Sequence, residues 1–177
     1  MILVAVGTYI HGFDELVAAA DAAAAELGLA GFAQIGHSRF APRQLAWERF
    51  LTPAQMADRM ATARLVICHG GVGLLGEAMR AAKPIIVMPR RGRPTAQSPA
   101  GDQTALVGRL AERHPILVCE APGELVGLVR ASIARGLEPQ RYDLASDVPE
   151  LVASFLARTS SSQPSTALRP KRSARSW

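Results

Sequence analysis

The sequence predicts an α/β fold: a single doubly wound, mostly parallel sheet with helices on both faces. Three observations lead there. The runs ILVAV (2–6), RLVIC (64–68) and PIIVMP (84–89) are continuously apolar, as expected of strands buried on both faces rather than one. Strand-like and helix-like segments alternate along the whole chain, which implies βαβ units joined by right-handed crossovers. The unusual loops (GTYIHG, GHSRF, HGGVG and RRGRPTAQSPAGDQ) each follow a strand. In such sheets ligands bind beyond the carboxyl ends of the strands.

Each element has its own signal. After the first strand, an alanine-rich helix from about Phe13 to Leu27 is closed by Gly28, because glycine readily takes the left-handed conformation of a helix end. FAQIG (32–36) and LAWERF (45–50) are the second and third strands. Thr52-Pro53 opens a helix as N-cap and first-turn proline, running to about Ala63. RLVIC is the fourth strand, followed by a helix from Gly73 to Ala82. PIIVMP is the fifth, bracketed by prolines. A helix from Asp102 to Arg113, the strand PILVC (115–119), and helices near 122–135 and 147–157 complete the fold. There is no internal repeat.

A chain of 177 residues, 49% hydrophobic and 20% charged, can bury one full core. Residues 1–157 form the expected domain. The net charge of +5 comes from residues 158–177, which hold five basic residues and no acid. This Ser/Pro/Arg-rich stretch is expected to be a disordered basic tail. The rest of the chain is neutral, so no nucleic-acid-binding surface is expected. Cys68 and Cys119 both end apolar runs, which suits reduced, buried thiols in a cytoplasmic protein better than a disulfide framework. The amino terminus does not read as a signal peptide, and no run reaches the length of a membrane span. Four scattered histidines lack paired metal-ligand spacing, so no metal site is expected.

The richest stretch is VICHGGVGLLGEAM (66–79). His-Gly-Gly-Val-Gly stands between a buried strand and a helix. It is either a tight turn needing glycine or a backbone cradle for an anion at a helix start. It is not a Walker A loop. The G-x-G-x-x-G spacing of Gly71, Gly73 and Gly76 falls after the fourth strand, and the next strand ends in Met88-Pro89 rather than an acid, which argues against a dinucleotide site. Glu77 stands eight positions after His69. That spacing lets glycine N–H groups meet a diphosphate while Glu77 accepts from ribose hydroxyls. Asp102 and Gln103 open the next helix and suit the vicinal diols of a sugar.

The stretch HGGVGLLGEAMRAAKPIIVMPRR followed by GDQTALVGRLAE resembles the nucleotide-sugar half of GT-B glycosyltransferases, and more narrowly the glycosyltransferase family 28 C-terminal domain. MILVAVGTYIHGFDELV is similar to the start of that family's short subunits, which occur in two-part bacterial exopolysaccharide glycosyltransferases and in the dolichol-linked UDP-N-acetylglucosamine transferase. QIGHS and PRR are similar to the exopolysaccharide branch. The resemblance covers roughly residues 1–135.

It implies a Rossmann-like domain and a role for each matching residue. Gly7 and Thr8 would meet the diphosphate, and the backbone of Phe50 and Leu51 would read uracil. His69, Gly70, Gly71 and Gly73 would form the phosphate loop, with His69 as the catalytic group that stabilises the departing diphosphate. Glu77 would hold ribose, and Asp102 and Gln103 the donor sugar. Val72 and Leu74 depart from the family's usual hydroxyl residues, so phosphate contact would rest on the backbone and His69. Asp102 stands where this branch often has histidine.

A whole GT-B enzyme has a second, acceptor-binding domain. The expected partner is therefore a separate, membrane-anchored glycosyltransferase subunit, which would hold this chain at the inner face of the plasma membrane. The substrates would be a UDP-sugar and a lipid-linked saccharide acceptor, with no further cofactor. Arg90, Arg91 and Arg93 directly follow a strand end, and guanidinium groups pair with carboxylates, which favours glucuronic acid as the donor sugar. The alternative is a non-catalytic subunit that stabilises the membrane partner.

Overall fold

The computed structural model describes residues 1–92 and 101–144. The expected helix at 147–157, the basic tail 158–177 and Arg93 lie outside the described residues.

Twelve elements follow in chain order: β1 (Ile2–Ala5), α1 (Asp14–Leu27), β2 (Gly31–Gln34), β3 (Ala46–Glu48), α2 (Pro53–Thr62), β4 (Leu65–His69), α3 (Val72–Arg80), β5 (Ile85–Met88), α4 (Thr104–Arg113), β6 (Ile116–Val118), a 3₁₀ turn (Pro122–Glu124) and α5 (Leu125–Ala134). The strands form one sheet in the order β3-β2-β1-β4-β5-β6. Every pairing among them is parallel, with Ala5 opposite both Gln34 and Cys68, and His69 opposite Met88. The chain winds outward from β1 to one edge, returns, and winds from β4 to the other. The reversal leaves a crevice at the carboxyl ends of β1 and β4, where neighbouring loops leave in opposite directions.

The apolar runs are buried as their composition requires. β1 and β5 are buried at every residue, and β4 at all but His69. One face of the sheet presents Val4, Val6, Ile67 and Ile86 to Leu16, Val17 and Ala20 of α1 and to Leu125 and Val129 of α5. The other presents Leu3, Val66, Cys68 and Val87 to Met60 of α2, Leu75 and Ala78 of α3, and Val107 of α4. Alanines on the buried face of α1 let it lie close to the sheet. The edge strands β3 and β6 are three residues each, which limits unpaired edge backbone.

Local chemistry sets the element ends. Thr52 and Gln55 form a capping box at the start of α2, with Pro53 in its first turn. Gly28 closes α1 at φ +62°. α4 starts at Thr104 rather than Asp102, because the Asp102 carboxylate accepts from Thr104 N at 2.8 Å and so stands outside the helix. α3 begins at Val72, one residue earlier than expected, with Gly71 extended at the cap.

Two carboxylates tie loops to α1. Asp14 Oδ1 accepts from Arg39 N at 2.6 Å and Phe40 N at 3.0 Å. Asp21, almost fully buried, accepts from Arg43 N, Gln44 N and Leu45 N at 2.9 Å each. Burial opposes ionisation of Asp21, but the three N–H groups outweigh it and hold the carboxyl below its usual range. Both cysteines are free and buried; burial pushes the Cys68 thiol up to about 12 and the Cys119 thiol to about 11. Among the described residues no helix is long and apolar enough to cross a membrane.

Candidate functional site at the sheet reversal

The crevice between β1 and β4 is built from glycines that cannot be exchanged for larger residues. Gly7, directly beyond β1, has φ +71°, and a Cβ there would lie 2.7 Å from His69 Nε2. A Cβ on Gly70 would meet Val107 at 2.5 Å, and one on Gly71 would meet the His69 ring at 2.2 Å. These contacts, rather than turn geometry alone, require glycine at 70 and 71. Gly73 differs: nothing lies within 4 Å of an added Cβ.

Gln34, a polar residue in an otherwise apolar strand, holds the first turn. It is 3% exposed. Its Oε1 accepts from Gly7 N at 2.9 Å, and its Nε2 donates to Gly7 O at 3.0 Å and to Arg49 O at 2.8 Å. The Gly7 N–H is thereby engaged within the protein. Thr8, next in the turn, is exposed.

His69 ends β4 and is half-buried. Its Nδ1 accepts from Gly71 N at 3.1 Å. A backbone N–H can only donate, so Nδ1 carries no proton and the neutral ring carries its proton on Nε2. Gln103 acts on the same nitrogen. Its Oε1 accepts from Gly70 N at 2.8 Å and from Arg90 N at 3.1 Å, which fixes the amide orientation and points Nε2 at His69 Nδ1, 3.1 Å away. Burial, reinforced by the nearby Arg90 charge, lowers the His69 pKa to about 4. His69 is therefore an uncharged N–H donor near neutral pH, not a cation.

α3 starts beside this ring. Its cap residue is Gly71, with no side chain to satisfy the first N–H groups, so those groups and the positive end of the helix dipole face outward. Val72, at the first helical position, is 67% exposed. Glu77 is exposed on the second turn.

The expected site residues fall into groups. Gly7, His69, Gly70, Gly71 and Gln103 meet directly. Gln103, expected to read a sugar, has its carboxamide engaged with three protein partners and one N–H left. Asp102 is exposed, and the Thr104 N–H lowers its pKa. Phe50 and Leu51 follow β3 at the same end of the sheet. Phe50 is 45% exposed, with its ring 5.0 Å from that of His37.

The arginines face elsewhere. Arg90 is 7% exposed and turned inward. Its Nη2 donates to Val6 O at 2.8 Å, its Nη1 donates to Gly12 O, and its guanidinium lies 4.6 Å from the Phe13 ring centre. Burial lowers its pKa. Arg91 is exposed and paired with Glu120. Both line a cleft of about 620 Å³ with Tyr9, His11, Phe13 and Glu120. His69, Glu77, Asp102 and Gln103 do not line it. Another cavity, of about 320 Å³, lies near the start of β5 and β6 beside His114 and Ser132, at the end of the sheet away from the crevice.

Sequence reasoning missed Gln34, Asp21 and the inward course of Arg90. Gln34 had a visible signal, an amide inside the buried run FAQI. The partners of Asp21 and Arg90 are distant in sequence and left none.

A doubly wound domain with a glycine-lined crevice at its sheet reversal belongs to the nucleotide-binding class of α/β folds. Solved structures of similar fold include MurG from Acinetobacter baumannii (20% identity, 88% of this chain and 49% of that one, TM-score 0.56). The calicheamicin glycosyltransferase CalG4 matches at 19% identity over 89% of this chain and 43% of its own, TM-score 0.57. A glycotransferase of kitacinnamycin matches at 18% over 87% and 37%, TM-score 0.53. The chain thus spans half or less of each of these proteins. No curated protein matches significantly. The model of the glycosyltransferase family 28 C-terminal domain matches residues 1–103. The chain belongs to this family.

Proposed function

We propose that this chain is the catalytic, UDP-sugar-binding subunit of a two-chain inverting glycosyltransferase. The acceptor site would lie on a separate membrane-anchored subunit, holding the pair at the inner face of the plasma membrane. The acceptor would be a lipid-linked saccharide in exopolysaccharide synthesis. Its hydroxyl would attack the anomeric carbon as the bond to the UDP oxygen breaks, and UDP would leave with the electron pair. The diphosphate would lie across the crevice, stabilised by the His69 N–H and the uncapped start of α3. Glu77, open to solvent on α3, would accept from ribose, and Phe50 and Leu51 would border the base. Asp102, with one carboxylate oxygen outside its bond to Thr104, would meet the sugar.

Glucuronic acid is the favoured donor sugar. The support for it now rests on Arg91, since the Arg90 guanidinium is turned to Val6 and Gly12.

The observation carrying this reading is a His69 Nε2–H with no hydrogen-bond partner among the described residues, beside an uncapped helix start and glycines that allow no side chain. Calorimetry with UDP tests it. Binding that is lost in Glu77→Ala supports the transferase. No binding by a folded chain, alone or with the partner, overturns it and favours a non-catalytic subunit. That second reading has its own support: exposed Val72 stands at the start of α3, where it offers phosphate no hydroxyl.

A further inference from the structure

We propose that Gln103 is a positioning residue that locks His69 as a neutral Nε2–H donor toward the crevice. The site would then offer its ligand a hydrogen bond and not a proton. The inference deepens the proposed diphosphate reading, but it rests on the hydrogen-bond pattern around one ring.

That pattern is unequal. Nδ1 has two donors, Gly71 N at 3.1 Å and Gln103 Nε2 at 3.1 Å. Nε2 has no hydrogen-bond partner among the described residues, and lies against Gly7 where only a glycine fits. A structural histidine ordinarily satisfies both nitrogens. Here the protein commits one nitrogen twice and leaves the other as an open donor.

Gln103 is the one side chain whose amide direction enforces this. Two backbone N–H groups hold its oxygen, from Gly70 at the end of β4 and Arg90 beyond β5. Its nitrogen must then face the ring. Gln103 N also donates to Arg90 O at 2.9 Å, so its own backbone is fixed to the same strand end. An amide flip would bring NH₂ against two N–H donors and is excluded electrostatically. The charged group acting on the ring is Arg90, which also disfavours protonation. Glu77 and Asp102, on the neighbouring helix α3 and before α4, are exposed. The lock requires a group that both accepts through one atom and donates through the other, a property of an amide and not of a carboxylate.

Glutamate at 103 has the same shape but the opposite chemistry. Its first oxygen still accepts from Gly70 and Arg90, while its second can only accept from His69. It should draw a proton onto Nδ1.

The experiment is long-range ¹H–¹⁵N NMR of the imidazoles in the full-length protein between pH 5.5 and 8. The His69 signals are assigned by their loss in His69→Gln. In the wild type we expect Nδ1 unprotonated, Nε2 protonated, and no change over this range. In Gln103→Glu we expect the proton on Nδ1 or on both nitrogens, with a titration moved up into or above the ordinary histidine range. Wild-type His69 protonated on Nδ1, or titrating within the range, overturns the proposal even if the variant does not fold. A folded Gln103→Glu with the wild-type pattern overturns it as well. UDP added to the wild type should shift Nε2 and leave Nδ1 unprotonated. An unperturbed Nε2 beside an intact tautomer lock supports the lock and counts against the diphosphate reading alone.

Discussion

Arg90 Nη2 donates to the carbonyl oxygen of Val6 at 2.8 Å, tying the end of β5 to the end of β1 although β4 lies between them in the sheet. The same guanidinium reaches Gly12 O and so braces the whole β1–α1 loop that borders the crevice. Arg90→Lys replaces a planar guanidinium, whose two terminal nitrogens reach the two carbonyls separately, by a shorter side chain with all its donors on one nitrogen. It should lower stability by about 1.5–3 kcal/mol, the range for hydrogen bonds to charged groups, measured by urea unfolding. Arg91→Ala breaks only an exposed ion pair and should cost under about 1 kcal/mol. Equal costs would show that Arg90 is not a brace.

Arg91 carries the donor-sugar prediction. If it reads a uronate, Arg91→Ala should weaken UDP-glucuronate about tenfold to hundredfold, the loss of one charge-assisted bond, and UDP itself much less. Competition calorimetry with both ligands measures the difference. Equal weakening would assign Arg91 to the diphosphate, and no weakening would leave it a solvated partner of Glu120.

Two nearby glycines, one at the cap of α3 and one inside it, should respond oppositely. Gly71→Ala puts a methyl 2.2 Å from the His69 ring and should displace that side chain, abolishing UDP binding measured by calorimetry. Gly73→Ala meets open space within α3 and should raise stability by about 0.5 kcal/mol through helix propensity. A tolerated Gly71→Ala would mean that the ring can move without loss.

His69 should make the protein acid-sensitive. The unfolded chain takes up its proton near the ordinary histidine value of 6.5, while the native protein resists until about 4. The unfolded state then binds more protons across that window, so stability falls as pH drops through it, by on the order of 3 kcal/mol at most. His69→Gln removes this contribution. The wild type should lose more stability than the variant between pH 6.5 and pH 4 in urea unfolding. Parallel profiles would show that native His69 protonates freely.

Asp21 offers a test unrelated to any ligand. Its two carboxylate oxygens receive three backbone N–H groups from residues 43–45. Asp21→Asn keeps the shape but turns one acceptor into a donor facing N–H groups. It should cost about 1–3 kcal/mol, the penalty of leaving buried donors unsatisfied, read as a lower urea midpoint. Unchanged stability would show that water replaces the carboxylate.

Much of this protein was legible in its sequence, because the deciding forces act between near neighbours. Continuous apolar runs had to be strands buried on both faces, and Thr52-Pro53 and Gly28 marked helix ends through their own backbone preferences. Alternation of strands and helices then dictated a parallel sheet. His-Gly-Gly pointed to the crevice because glycine, histidine and a following helix are local features. Tertiary structure decided what each side chain does there. Gln103 reads from sequence as a sugar ligand, yet folding brings it against His69 and Gly70, more than 30 residues away. Arg90 reads as one of a trio that would pair with the carboxylate of a donor sugar, yet its guanidinium finds carbonyls 78 and 84 residues earlier and turns inward. Both outcomes follow from one physical rule. Polar groups that folding removes from water must find partners, and the partners lie wherever the sheet order brings strand ends together.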